Sequence, residues 1–358
     1  MSIKKIDMIS FRNHNHIELE FGSGINVIWG ENGSGKTSIL EAIYLLAIGR
    51  SFRTRRLLEI ISDEKEQMAV TGSFYDGTRE QTITFNQTRT GQRKIKINGT
   101  PAAGIREIIG KNPVVLLSPE EQNITKGSPG DRRTYFDKLF SMISRQYLNI
   151  LSDYTRILKQ RNALLRQEQK VPAGIEFTVW NEELSRLGVQ LWEKRAEIMS
   201  SFQAELGHVS KKYTSLEIKI ETMVSSKMLD QRTFMSELKK RENRDKILGW
   251  TSIGPHRDEM SFLFNQRPLR EFGSQGEHKI ALVFIKLAEL QLIQKEKKQT
   301  PTLLLDDLFA KLDIKRSEAI FDLLSGKAQT LITNTDLLNI EKRGIRLTEN
   351  DKTFCLTK

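Results

Sequence analysis

Gly30-Glu31-Asn32-Gly33-Ser34-Gly35-Lys36-Thr37 fits the spacing G-x-x-x-x-G-K-[ST] at every fixed position. The chemistry this spacing performs is the cradling of a phosphate chain. Glycines let the backbone wrap it with N–H groups pointing inward, and a helix N-terminus behind the loop adds partial positive charge. Lys36 is placed to reach the outer phosphates and Thr37 to ligate a magnesium ion, so the run Gly30–Ser38 is the expected ATP-contacting stretch.

A metal on a phosphate needs a second protein oxygen. Leu303-Leu304-Leu305-Asp306-Asp307 supplies one, as an apolar run ending in two acids. Asp306 is expected to hold Mg2+, and Asp307 to sit near the γ-phosphate and polarise the attacking water. A third element, Ser274-Gln275-Gly276, offers a hydroxyl, an amide and bare backbone at the start of a predicted helix. Taken alone it reads more readily as an ordinary helix cap. Taken with the loop it suggests two ATP molecules shared by two subunits, each held by the loop of one and the Ser-Gln-Gly helix of the other.

These residues need elements to position them. Ile25–Trp29 is a short apolar run of buried-strand type, placed just before the loop. Ile39, Leu40, Ile43 and Leu46 mark a helix after it, closed by Gly49. Alternation at Ile17, Leu19 and Phe21 predicts a strand, as do 68–75, 82–86, 93–97 and 113–117, with Asn98-Gly99 as a turn. From about 118 to 246 the pattern turns helical. One stripe runs from Phe136 to Leu158 as a single long helix, is broken over 170–174, and a second runs from Trp180 to Phe202, with one strand near 216–220. After Trp250 the α/β pattern returns, with strands at 260–264, 302–305, 329–333 and 353–356 and a helix over 276–292. Lys36 and Asp306 lie 306 − 36 = 270 positions apart, which an inserted domain explains. The expected architecture is therefore an α/β domain from 1–117 and 247–358, with a mainly helical second lobe from 118–246.

Composition narrows the function. Of 358 residues, 56 are Lys or Arg and 45 Asp or Glu, a net charge of +11 that favours a polyanionic partner. The single cysteine, Cys355, excludes an internal disulfide and a cysteine-based zinc site. No signal-peptide pattern opens the sequence, and the longest apolar stretch, 280–292, is interrupted by Lys286 and Glu289. A cytoplasmic protein without a membrane partner is expected. Arg50, Arg53, Arg55 and Arg56 crowd one short stretch. Residues 131–166, which include Arg132 and Arg133, carry eight cations against three acids, and 211–246 carry ten against six. Each cluster suits a DNA backbone or a solvated helix face, and no sequence-reading motif accompanies them. Arg53, Arg55, Arg56, Arg132 and Arg133 are the candidate DNA contacts. His14 and His16 have metal-like spacing without further ligands, and read as a polar strand end. His256 is placed to contact nucleotide or to order a loop.

With those residues in view, the chain resembles the ABC-type ATPases, and among them the RecF family, relatives of the SMC chromosome-organising proteins. Phe11-Arg12-Asn13, Gly49-Arg50-Ser51-Phe52-Arg53, Leu117-Ser118-Pro119-Glu120 and Lys126-Gly127-Ser128-Pro129 match strings of that family. Gly254-Pro255-His256-Arg257-Asp258 matches another. The departures are Glu277 and His278 after Ser-Gln-Gly, where Gln is usual, Glu259 for Asp, and Ser38 for Asn. The resemblance implies an ABC-type P-loop ATPase head built from both chain ends. Asp313 would lie at the subunit seam, and Thr335 in the place of a γ-phosphate sensor, unless Asn334-Thr335-Asp336 is simply a turn. It further implies slow DNA-dependent ATP hydrolysis and an ATP-dependent homodimer acting as a clamp on double-stranded and gapped DNA. Roles in repair, replication and the SOS response follow, with RecO and RecR helping to load RecA. Two rival readings are the energising subunit of a membrane transporter and a DNA-binding module using ATP only structurally. The 270-position gap and basic insertion speak against the first, and intact Lys36, Asp306 and Asp307 against the second.

Overall fold

The computed structural model describes residues 2–166, 177–212, 218–307, 328–336 and 348–357. In chain order the first segment runs β1 (Ser2–Phe11), β2 (His14–Glu20), β3 (Ile25–Gly30), α1 (Lys36–Ile48), β4 (Gln67–Tyr75), β5 (Glu80–Thr88), β6 (Arg93–Ile97), β7 (Thr100–Pro101) and β8 (Val114–Leu117). The middle holds α2 (Asn123–Lys126), α3 (Pro129–Ile143), α4 (Arg145–Arg166), α5 (Thr178–Lys212), β9 (Ile220–Ser225), α6 (Gln231–Lys240) and α7 (Glu242–Leu248). Next come β10 (Glu259–Phe264), β11 (Arg267–Pro268), α8 (Leu269–Phe272) and α9 (Gln275–Lys297). The last strands are β12 (Thr302–Asp306), β13 (Thr330–Asn334) and β14 (Lys352–Leu356). These form two compact units, Met1–Gln122 with Leu282–Lys358, and Asn123–Ala281.

The first unit holds two sheets. One is antiparallel, in the order β2-β1-β4-β5-β6-β7, and the other parallel, in the order β14-β3-β13-β12-β8. Alternation reads out directly in the antiparallel sheet, where every second residue of β4 is buried. Asn98 and Gly99 take φ of 51° and 80°, the paired left-handed conformations that an Asn-Gly hairpin turn requires. In the parallel sheet β12 and β13 are buried throughout, as strands covered on both faces must be. Helix α1 packs against both sheets and is buried on all sides from Ser38 to Ile48. Lys286 and Glu289, which interrupt the apolar stretch of α9, are both buried, with the ammonium 2.9 Å from Glu289 and also paired with Glu121. No helix among the described residues is long and apolar enough to cross a membrane.

The second unit is helical apart from the sheet β11-β10-β9. The expected single helix over 136–158 is two helices. Ser144 is extended (φ −125°, ψ 112°), ending α3 while its hydroxyl accepts from the Tyr147 N–H to start α4. The apolar stripe runs on across the break, so periodicity alone does not reveal it. The break expected over 170–174 lies outside the described residues, as do 216 and 217 of the strand expected near 216–220; 218 and 219 are not strand, and β9 begins at Ile220. Residues 247–281, expected with the ATPase domain, fall in this unit because β10 pairs along its whole length with β9. Two buried arginines knit the helices to the Gly254–Asp258 run. Arg161, fully buried, binds Asp245 at 2.9 Å, Asn181 at 2.8 Å and Thr251 at 2.7 Å. Arg195 binds Asp258 and the Pro255 carbonyl, each at 2.8 Å.

Candidate functional site

Three parallel strands bring the site together. β13 lies between β3 and β12, with Thr333 opposite Ile28 on one side and Asp306 on the other. The loop leaving β3 and the acids ending β12 therefore share the carboxyl edge of one sheet, where such sheets place their ligands. Gly35 has φ of 93°, and a Cβ there would lie 2.2 Å from His14 Nε2, so any other residue would be strained and would push the His14 ring aside.

The reactive groups converge on Asp306. Its carboxylate accepts from Thr37 Oγ1 at 2.8 Å and from Thr333 Oγ1 at 2.7 Å. The Thr333 hydroxyl in turn accepts the Asp307 N–H at 3.1 Å and holds Asp307 in a left-handed turn (φ 48°). Burial raises the Asp306 carboxyl above the usual aspartate range, against the hydroxyls of Thr333 and Thr37. Lys36 Nζ lies across the loop, donating to the carbonyls of Gly30 and Glu31 at 2.7 Å each. Burial lowers its pKa, and the charges of Asp307 and Asp306 oppose that. A hydroxyl and an ionisable carboxylate meeting at one point form the oxygen donor set that Mg2+ uses beside substrate phosphates, so Thr37 and Asp306 fit the ion. The cavity over these groups measures about 520 Å³, and Asn32, Gly33, Ser38, Arg53, Asn334 and Thr335 also line it.

Behind the loop is a brace of which the sequence showed Arg12, Asn13 and Ser51 only in family strings, His14 only as a polar strand end, and Glu41 not at all. Asn13 donates to the Gly33 carbonyl at 3.2 Å and accepts from Ser38, while His14 Nε2 lies 3.1 Å from the Gly35 carbonyl. Arg12 grips the fully buried Glu41 of α1 through two bonds of 2.9 and 2.6 Å, and Ser51 donates to the same carboxylate. These partners lie 10 to 29 positions apart, and no local pattern announces them. His16 pairs with Asp7 instead, and no cluster of metal ligands exists among the described residues.

The other expected residues sort as follows. Thr335 stands exposed at the cavity, its N–H turned onto the Asn334 side chain. Asp313 lies outside the described residues. Ser274, Gln275 and Gly276 open α9 in the second unit. Ser274 N–H donates to Glu277 at 2.7 Å and Ser274 Oγ accepts the Glu277 N–H at 3.2 Å, a reciprocal cap that leaves the hydroxyl proton free. The Glu277 carboxylate is thus turned back onto its own helix, and Lys126 holds Gln275 at 2.6 Å. Arg53, Arg55 and Arg56 are all exposed, and Arg53 also lines the cavity, 3.5 Å from Glu41. Arg132 is not a surface residue. It is 2% exposed, bound to the carbonyls of Met260 and Gly127, and cannot meet DNA where it stands. Arg133 is half-buried on the Asp258 carbonyl. His256 orders a loop: Nδ1 accepts from Tyr154 at 2.7 Å and Nε2 donates to the Thr251 carbonyl.

A phosphate-binding loop on a central helix, an acid-ended neighbouring strand and an inserted helical unit define an ABC-type ATPase head of the SMC class. The sequence model of the RecF/RecN/SMC N-terminal domain matches residues 2–351. The DNA replication and repair protein RecF of Latilactobacillus sakei is 33% identical over 354 residues, covering 96% of this chain and 94% of that protein. The RecF of Ruminiclostridium cellulolyticum is 34% identical over 365 residues, covering 99% and 97%. A solved structure of the recombination mediator protein RecF-ATPrS in the RecFOR pathway superposes with a TM-score of 0.87 at 30% identity, covering 94% of this chain and 93% of that one. An Smc head bound to the C-winged helix domain of ScpA shares the fold at a TM-score of 0.51 and 18% identity, covering 95% and 91%. The chain belongs to the RecF family of DNA replication and repair proteins.

Proposed function

We propose that the protein is an ATP-dependent DNA-binding protein of recombinational repair, working in the cytoplasm as an ATP-gated clamp. The observation that carries the reading is the convergence of Thr37 and Thr333 on Asp306 beside Lys36, with Asp307 held by Thr333. Lys36 exchanges its two loop carbonyls for the outer phosphate oxygens, and the N–H groups of the loop hold the rest. Thr37 and Asp306 hold Mg2+, which when bound neutralises charge on the β- and γ-phosphates. Asp307, fixed by Thr333, orients the attacking water. Ser274 and Gly276 from a second copy meet the γ-phosphate, with Asp313 at the seam and Thr335 at the cavity edge as sensor. Only ATP, and not ADP, then bridges two chains, so slow DNA-stimulated hydrolysis resets the clamp. Arg53, Arg55, Arg56 and Arg133 are the DNA candidates left exposed or half-exposed. RecR, RecO and RecA are the partners this reading assigns, on gapped or double-stranded DNA.

Titration calorimetry with MgATP tests the reading. Lys36→Ala should weaken binding at least tenfold, while Asp307→Asn should bind ATP nearly as well as the parent and lose turnover. Unchanged turnover in Asp307→Asn would remove Asp307 from the mechanism, and absence of ATP binding by the parent would end the proposal.

A further inference from the structure

The turn after α7 carries an arrangement that the ATP site does not use. Trp250 is 43% exposed and follows Ile247, which is 88% exposed. The Arg257 guanidinium lies over the Trp250 ring, 6.0 Å from its centroid, at the limit of a cation–π contact. Three arginines hang on backbone carbonyls of the one segment 249–258. Arg166 donates to Gly249 at 3.2 Å, Arg257 to Thr251 at 3.2 Å through Nη2, and Arg133 to Asp258 at 2.7 Å. A carbonyl fixes a guanidinium without cancelling its charge. None of the three has a carboxylate within ion-pair distance among the described residues, because the Asp258 carboxylate is turned inward onto Arg195 and Trp192. The cations are close enough to feel one another. Arg133 is pulled below the ordinary arginine value first by burial and then by Arg195 and Arg257, with Asp137 and Asp258 opposing the shift.

Preorganised guanidiniums without a direct carboxylate pair, beside an open indole, suit a ligand with both phosphates and bare aromatic faces. Duplex DNA offers the first and hides the second, and an acidic peptide lacks the bases. We propose that Trp250, backed by Arg257 and flanked by Arg166 and Arg133, is a stacking site for an unpaired base of single-stranded DNA. This rests on the DNA-binding reading above and gives it a structural preference, for a strand with exposed bases over a closed duplex.

The test uses the full chain and fluorescence anisotropy at several salt concentrations. The probes are a labelled oligothymidylate and a blunt duplex of equal length. Trp250→Ala should weaken oligothymidylate binding about 5- to 150-fold, the range for loss of one stacked base, with duplex binding unchanged. Trp250→Phe, which keeps a ring, should restore most of it. Arg257→Gln should lower the salt slope by about 1 on the single strand. Thermal unfolding matched to the parent shows that each variant is folded. Equal affinity of Trp250→Ala and parent for the single strand overturns the proposal and leaves the patch to a protein partner. An equal loss on both DNAs also overturns it, reducing the patch to backbone contact. A parent that binds neither DNA would instead bring down the DNA reading itself.

Discussion

Glu41→Gln is the sharpest test of how this loop is held. Glu41 sits on α1 with no exposure, and its carboxylate receives Arg12 at two points, Ser51, and Arg53 at 3.5 Å. Glutamine fills the same volume but keeps one acceptor oxygen and turns an NH2 toward the Arg12 fork. Removing one partner of a fully buried ion pair costs about 3–5 kcal/mol. Here the Arg12 side chain is 19% exposed and Arg53 is 39% exposed, so both recover some water, and about 2–3 kcal/mol is the expected loss. The effect should reach the loop. Arg12 holds a left-handed backbone (φ 56°) directly before Asn13 and His14, which grip the Gly33 and Gly35 carbonyls. Releasing Arg12 should therefore weaken MgATP binding about tenfold, corresponding to roughly 1.4 kcal/mol of lost preorganisation. Urea unfolding at neutral pH measures the first quantity and calorimetry the second. In an Arg12→Met background the same change should cost less than half as much, since the pair is already broken. A loss under about 0.5 kcal/mol, or full additivity with Arg12→Met, would refute the brace.

Two further outcomes follow from the second unit. His256 is held neutral by burial, which lowers its pKa to about 4. The unfolded chain then binds the proton more readily than the folded one. Stability is fully present above about pH 6.5 and falls as the pH drops toward 4, by roughly 2 kcal/mol at pH 5. Urea titrations at pH 7 and 5 should show this loss, and His256→Gln should abolish most of it. Asp245→Ala strands the fully buried Arg161 and should cost about 3–5 kcal/mol by the same titration at pH 7. A cost below 1 kcal/mol would mean that Asn181 and Thr251 suffice to hold the charge.

What could be read from the sequence was whatever is local. The loop, the apolar strand ending in Asp306-Asp307 and the Asn98-Gly99 turn all declare themselves within a few residues. The break at Ser144 could not be read, because an apolar stripe keeps its phase when one residue turns extended. Arg132 looks from charge alone like a surface cation, yet the carbonyls of Met260 and Gly127 draw it inside from 128 and 5 positions away. Thr333 is part of the site only through parallel register, which sets it beside Asp306, and no motif fixes that register. Long-range pairing decided the last two cases, and spacing carries no record of it.

In the proposed clamp, ATP joins two copies through the loop of one and the Ser274–Gly276 turn of the other. Sedimentation velocity on Asp307→Asn, with ATP, ADP or no nucleotide, tests it most directly. The account predicts a doubled mass with ATP alone, and return to the single mass when Ser274→Arg is added. A mass that stays single while calorimetry reports bound ATP would contradict it.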